Sequence, residues 1–228
     1  IEEYIDRSLV NLGIDCIDLL QLHCPPLEVC KDENTYESLD ILVKKGKIQY
    51  YGVSVHNLCD AYEAINHKNV KSIQIVFNIF RQKPSENFIK EAHKKNVAII
   101  SRGPLASGLL AGNINKDTIF TENDHRNYNI NGTAFDIGDT FSGVNLDKGF
   151  LAIQELKKIV PKNYKLSEFA LGWILSFNEI TVVIPGALNP IEVKQNANIT
   201  DYKNLKDFQI KIKNVYEQFI KQDVHDKW

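Results

Sequence analysis

There is no methionine in the 228 residues, residue 1 included, and only two tryptophans and four cysteines. A complete gene product begins with methionine, so the chain is expected to start inside its own fold. No apolar run approaches the ~20 residues of a bilayer-spanning helix; the stretches at 97–100 and 181–185 are among the longest. The opening IEEYIDRSLV has neither the basic start nor the apolar core of a signal peptide. A soluble, cytoplasmic protein with no membrane partner is expected. Sequons at Asn131 and Asn198 point the other way, and in so asparagine-rich a chain they are read as chance.

Cys16, Cys24, Cys30 and Cys59 form no CxxC pair, which favours free thiols over a disulfide framework or a zinc site. An excess of positive charge is missing too. A net charge of -2 and a pI near 6.3 supply no broad attraction for nucleic acid. A small-molecule or protein partner fits this balance better.

What is present alternates between helical and strand periods. With 43% hydrophobic and 25% charged residues the chain supports one substantial core, and residues 1–228 read as a single domain. Ile5, Leu9 and Leu12 are spaced for one helix face, and the almost wholly apolar 16–22 follows as a buried strand. Asn34 with Glu37 resembles a capping box and opens a helix closed by Lys44, Lys45 and Gly46. Then come a strand at 48–55 broken by Gly52, a helix at 60–67, a strand at 72–77, a helix at 85–95 and a strand at 97–101. Residues 102–148 show little sustained period, and so long a loop in a compact domain is usually functional. Helices at 149–160 and 167–177, a strand at 181–184, a helix after Pro190 and a last helix from 205 to about 221 complete the chain. Strands apolar on both faces and separated by helices imply an α/β fold with a parallel sheet. The count is five strands, whereas a (β/α)8 barrel has eight.

No GxGxxG, GxxxxGK[ST] or HExxH occurs, so any cofactor site is built without those loops. In parallel α/β folds chemistry gathers at the carboxyl ends of strands. Those ends carry His23 and Cys24, Ser54 with His56 and Asn57, Asn78 just past Gln74, Arg102 with Gly103, and Pro185 with Gly186. Each has a plain alternative. His23 is also readable as a hydrogen-bonded core histidine, Ser54 as a turn former, and GPLASGLLAG as an ordinary Gly/Pro loop rather than a pyrophosphate cradle.

The ordered blocks SLVNLGIDCIDLLQLHCPP, LVKKGKIQYYGVSV, IQIVFNIF, ISRGPLASGLLAG and VVIPGALNPIEVKQNA resemble the aldo-keto reductase family over nearly the whole chain. The resemblance implies a (β/α)8 barrel of the TIM type, represented here by about five of its eight strands. It also implies reduction of aldehydes or ketones with a nicotinamide cofactor. His23 matches the family's active-site histidine, which orients the carbonyl of a small substrate. Ser54 and Gln74 match residues that hold the nicotinamide carboxamide. Arg102 stands where many members stack an aromatic ring, and Leu105, Ser107 and Gly108 match the loop around the pyrophosphate. Gly186, Gln195 and Asn196 match the adenine end. NADP is the implied cofactor, and NAD stays open because Glu192 would repel a 2′-phosphate.

The chain departs from the family in two ways. Val55 follows Ser54 where the family usually has Asn. The proton-donating Tyr, its Lys and its Asp lie on family segments before the histidine strand, and no residue here matches them. The expectation is therefore the C-terminal portion of an oxidoreductase, inactive alone, with the missing N-terminal segment or another chain covering the open barrel edges. The alternative is a non-catalytic nucleotide-binding or regulatory subunit of the same fold. His125 and Arg126 in the long loop are read as solvated charges in preference to anchors for an anionic substrate.

Overall fold

The computed structural model describes residues 1–199 and 205–228, so Thr200 of the second sequon lies outside the described residues. Five strands run parallel in chain order: β1 (Ile17–His23), β2 (Ile48–Ser54), β3 (Val70–Val76), β4 (Ala98–Arg102) and β5 (Val182–Val183). Helices α2 (Leu27–Lys31) and α3 (Glu33–Lys44) link β1 to β2, α4 (Leu58–Ala64) links β2 to β3, and α5 (Phe88–Lys94) links β3 to β4. Between β4 and β5 lie α6 (His125–Tyr128), α7 (Leu146–Ile159) and α8 (Leu166–Leu175). Helix α1 (Glu2–Leu12) precedes the sheet, and α9 (Pro190–Ala197), α10 (Gln209–Phe219) and α11 (Lys221–Val224) follow it.

Among the described residues the sheet does not close, since β1 and β5 each bond to one neighbour. The architecture is α/β with five parallel strands, consistent with an incomplete (β/α)8 barrel. That openness corrects one expectation from sequence. The 16–22 run is not a buried strand: Leu19 is 38% exposed, and Asp18 and His23 are exposed as well. An edge strand lacks the second neighbour that helps to bury Tyr51, Val53, Ile73 and Ile75 on β2 and β3.

The cap of α3 is a second correction. Asp32, not Asn34, sits in extended backbone before the helix, and its carboxylate accepts from the N–H groups of Asn34 and Thr35. The short α2 ends immediately before it, which leaves Asp32 at the one position with N-cap geometry. Helix α7 likewise starts earlier than its apolar period suggests, because Asn145 accepts from the Lys148 N–H and caps it.

Candidate active site

The register pairs His23 with Ser54 and Ser54 with Gln74, so three residues singled out in the sequence form one row at the carboxyl ends of β1, β2 and β3. Paired positions of neighbouring strands present their side chains on one face. Ser54 Oγ lies 3.4 Å from Gln74 Oε1 and donates to it. Ser54 is buried and His23 exposed, so the row runs from the interior out to solvent. Cys24 Sγ stands 3.9 Å from Ser54 Oγ, and burial raises its pKa, which keeps it a thiol and not a nucleophilic thiolate.

One layer deeper the row is Gln21, Gly52 and Ser72. Gln21 Nε2 donates to Ser72 Oγ at 3.1 Å, across the glycine. A Cβ at position 52 would stand 2.0 Å from Ser72 Oγ and 2.4 Å from the Ser72 carbonyl oxygen. Gly52 reads in the sequence as a break in a strand. In the fold it is the residue that lets β2 and β3 approach and sets the row above it.

Arg102 ends β4, paired with Val76 two positions beyond Gln74. Its guanidinium forms an ion pair with the Asp139 carboxylate and donates to the Val55 carbonyl at 3.2 Å and to His56 Nδ1 at 3.1 Å. Arginine only donates, so His56 Nδ1 accepts and the imidazole proton is assigned to Nε2. Among the described residues, the buried Arg102 Nε has no hydrogen-bond partner. Immediately after the strand, Leu105 starts a 3-10 turn over Ala106–Ala111, with Ser107 at φ 53 and Gly108 at φ 100. Ser107 Oγ donates to the Asp139 carbonyl at 3.2 Å and accepts from the Phe141 N–H at 3.0 Å, which ties the turn to the far end of the long loop.

Asn78 adds a second tie. Its Nδ2 donates to the Gly103 carbonyl at 2.8 Å and to Ser142 Oγ at 2.9 Å. Arg81, also buried, donates to the Ser142 carbonyl at 3.3 Å, and its guanidinium lies 3.5 Å from the ring centroid of Trp228. Burial lowers the Arg81 pKa to about 9, while the nearby Asp136 opposes that shift.

The remaining predicted residues stand apart. Gly186 follows β5, whose neighbour is β4, and is exposed; Gln195 and Asn196 lie half-buried on α9. Asn196 Nδ2 donates to the Gly186 carbonyl at 3.3 Å. Glu192 accepts from the Leu188 N–H at 2.7 Å and from Asn189 Nδ2 at 3.0 Å, so its charge is engaged at the start of its own helix. Among the described residues no hydrogen bond joins this group to the His23, Ser54 and Gln74 row.

In the long loop, Arg126 is held by Asp124 through a bond of 2.6 Å and lies over the Phe120 ring, so its cation is already paired. Hydrogen bonds from Arg126 lower the Asp124 pKa to about 2. The folded value lies below that of an unfolded aspartate, so the pair's contribution is present above about pH 4 and is lost as pH falls toward 2. Protection factors of the 124–128 amides, their exchange rates relative to the intrinsic rate at each pH, are expected to fall in that window; protection that does not change between pH 5 and pH 2 contradicts it.

The sequence model of the Aldo/keto reductase family matches residues 1–215. The chain belongs to that family. The uncharacterized oxidoreductase YqkF of Bacillus subtilis is 27% identical over 99% of this chain and 67% of its own length. The aldo-keto reductase yakc [NADP(+)] of Schizosaccharomyces pombe is 26% identical over 86% of this chain and 56% of its own. The holo form of aldo-keto reductase AKR11C1 from Bacillus halodurans superposes with a TM-score of 0.70 at 24% identity, covering 99% of this chain and 68% of that one. The chain thus spans roughly three fifths to two thirds of the length of these relatives.

Within an aldo-keto reductase frame, the residues missed in the sequence are Gln21, Ser72, Asp139 and Ser142. The first two precede His23 and Gln74 by two positions, so the strand period carried a signal for both. Asp139 lies 37 residues from Arg102 in an aperiodic loop and carried none.

Proposed function

We propose that the strand ends hold the nicotinamide half of NADP(H) and that the protein serves carbonyl reduction. The observation that carries this reading is the row His23, Ser54, Gln74 beside Arg102, whose buried Nε has no partner among the described residues. An orphaned buried donor costs about 1–3 kcal/mol and is relieved by an acceptor on a ligand. Ser54 and Gln74 would hold the carboxamide. Leu105, Ser107 and Gly108 would carry the pyrophosphate on a turn whose positive φ values open the backbone, and Gly186, Gln195 and Asn196 would take the adenine end. NADP is preferred because a relative carries it in its name and because Glu192 is engaged in capping; NAD is the second choice.

When bound, a reduced nicotinamide supplies a hydride to the carbonyl carbon. His23, at the exposed end of the row, orients the carbonyl oxygen of a small aldehyde or ketone by hydrogen bonding. The proton for that oxygen comes in this reading from a Tyr–Lys pair outside the 228 residues, and general acid catalysis of this kind contributes about 10²- to 10⁴-fold. We also propose that further sequence or another chain covers the exposed apolar edge positions Leu19, Val182 and Ile184.

The test compares NAD(P)H oxidation with a panel of small aldehydes for this chain and for the product of the same reading frame extended upstream. The reading expects turnover in the longer product and at least a hundredfold less in the shorter, following the acid's share. An upstream frame without Tyr and Lys, or equal turnover in both, contradicts the catalytic assignment.

A further inference from the structure

The sequence places Val55 where an amide side chain is expected beside Ser54, and the structure shows what stands over that position. Val55 is buried, its N–H donates to the Gln74 carbonyl at 2.9 Å, and it offers its own carbonyl to Arg102 at 3.2 Å. The Arg102 side chain therefore crosses from the end of β4 to the end of β2. Three acceptors on two separate segments fix the guanidinium plane: Asp139 from the long loop, and Val55 and His56 from the end of β2. A planar guanidinium held on both terminal nitrogens has one orientation left, and its buried Nε has no hydrogen-bond partner among the described residues.

We infer that Asp139, with His56, is a positioning residue that fixes Arg102 so that its Nε–H donates to the nicotinamide end of the bound cofactor, in place of the amide absent at position 55. This rests on the cofactor reading above. The physical reason is preorganisation. A free arginine carries several rotatable bonds that must be fixed when a ligand binds, whereas one already held by an ion pair and two hydrogen bonds loses little. Removing the Asp139 charge leaves Arg102 held through one terminal nitrogen only, by Val55 and His56, and so less firmly oriented. The penalty then falls on ligands that use the Nε–H and spares those that do not.

Fluorescence and calorimetric titration with NADPH and with 2′-phospho-ADP-ribose, which lacks the nicotinamide, separates these effects. Asp139→Asn is expected to weaken NADPH binding about tenfold, the worth of one charge-assisted hydrogen bond, and to leave 2′-phospho-ADP-ribose binding unchanged. Asp139→Glu is expected to restore part of the loss. Equal weakening of both ligands means a structural role and overturns the inference, and so does unchanged NADPH binding. If Asp139→Asn does not fold, Arg102→Lys keeps the charge, removes the Nε–H and is expected to show the same selectivity. Failure of the wild-type chain to bind NADPH overturns the cofactor reading itself, an outcome distinct from selective binding that the Asp139 variant leaves intact.

Discussion

Gly52→Ala is expected to destabilise the protein by about 3 kcal/mol, the upper end of what inserting one methyl into a packed interior costs. The added carbon would meet the Ser72 carbonyl oxygen at 2.4 Å, and backbone cannot swing aside as a side-chain tip can. Relief requires β2 and β3 to separate, which would break the Gln21 to Ser72 hydrogen bond and shift Ser54 from Gln74. Urea unfolding should show the midpoint falling, and NADPH affinity measured well below that midpoint should fall with it. A midpoint equal to that of the wild type would mean that the strands are not held as closely as described.

Trp173→Ala is expected to cost about 3–5 kcal/mol, the range for deleting a large buried aromatic. Trp173 on α8 is 1% exposed, stacks on Phe77 at 5.3 Å and meets Phe177 edge-on at 5.0 Å. Phe77 follows β3 directly, and its carbonyl accepts from Ser101 Oγ at 2.7 Å, so this cluster supports the strand ends from below. The Trp173 indole Nε1 is buried without a partner among the described residues. Trp173→Phe keeps most of the ring area and removes that unpaired N–H, so thermal or chemical unfolding should place it well above the alanine variant. Equal losses for the two substitutions would contradict the assignment of this stability to packing of the aromatic ring.

The strands were legible because burial imposes a pattern on local sequence: all five occur within two residues of where apolar runs end. The polar residues at their ends were legible for the same reason, since a strand that stops at His23, Ser54 or Arg102 stops where the apolar run does. The contacts that organise those residues were not. Arg102 and Asp139 meet across a loop without a period, and Asn78 meets Ser142 across 64 positions. Such pairs depend on how the chain returns, which no local spacing records. Gly52 shows a subtler limit. The sequence reveals a glycine in a strand, and only the neighbouring strand explains it.

The exposed β1 was misread for a related reason. Apolar composition states what a strand can bury, while its place at the edge of the sheet decides what it does bury. The same holds for Asp32. Its N-cap role follows from where α2 stops, not from a residue pattern within α3.

In the proposed function, the row of His23, Ser54 and Gln74 beside Arg102 receives a nicotinamide. Titration of the 228-residue chain with NADPH, followed by the fluorescence of the reduced ring, tests it most directly. Saturable binding is expected, weakened by Gln74→Ala and nearly unchanged by a His23→Ala substitution at the exposed end of the row. Absence of saturation in a chain shown to be folded, or saturation unaffected by Gln74→Ala, would contradict it.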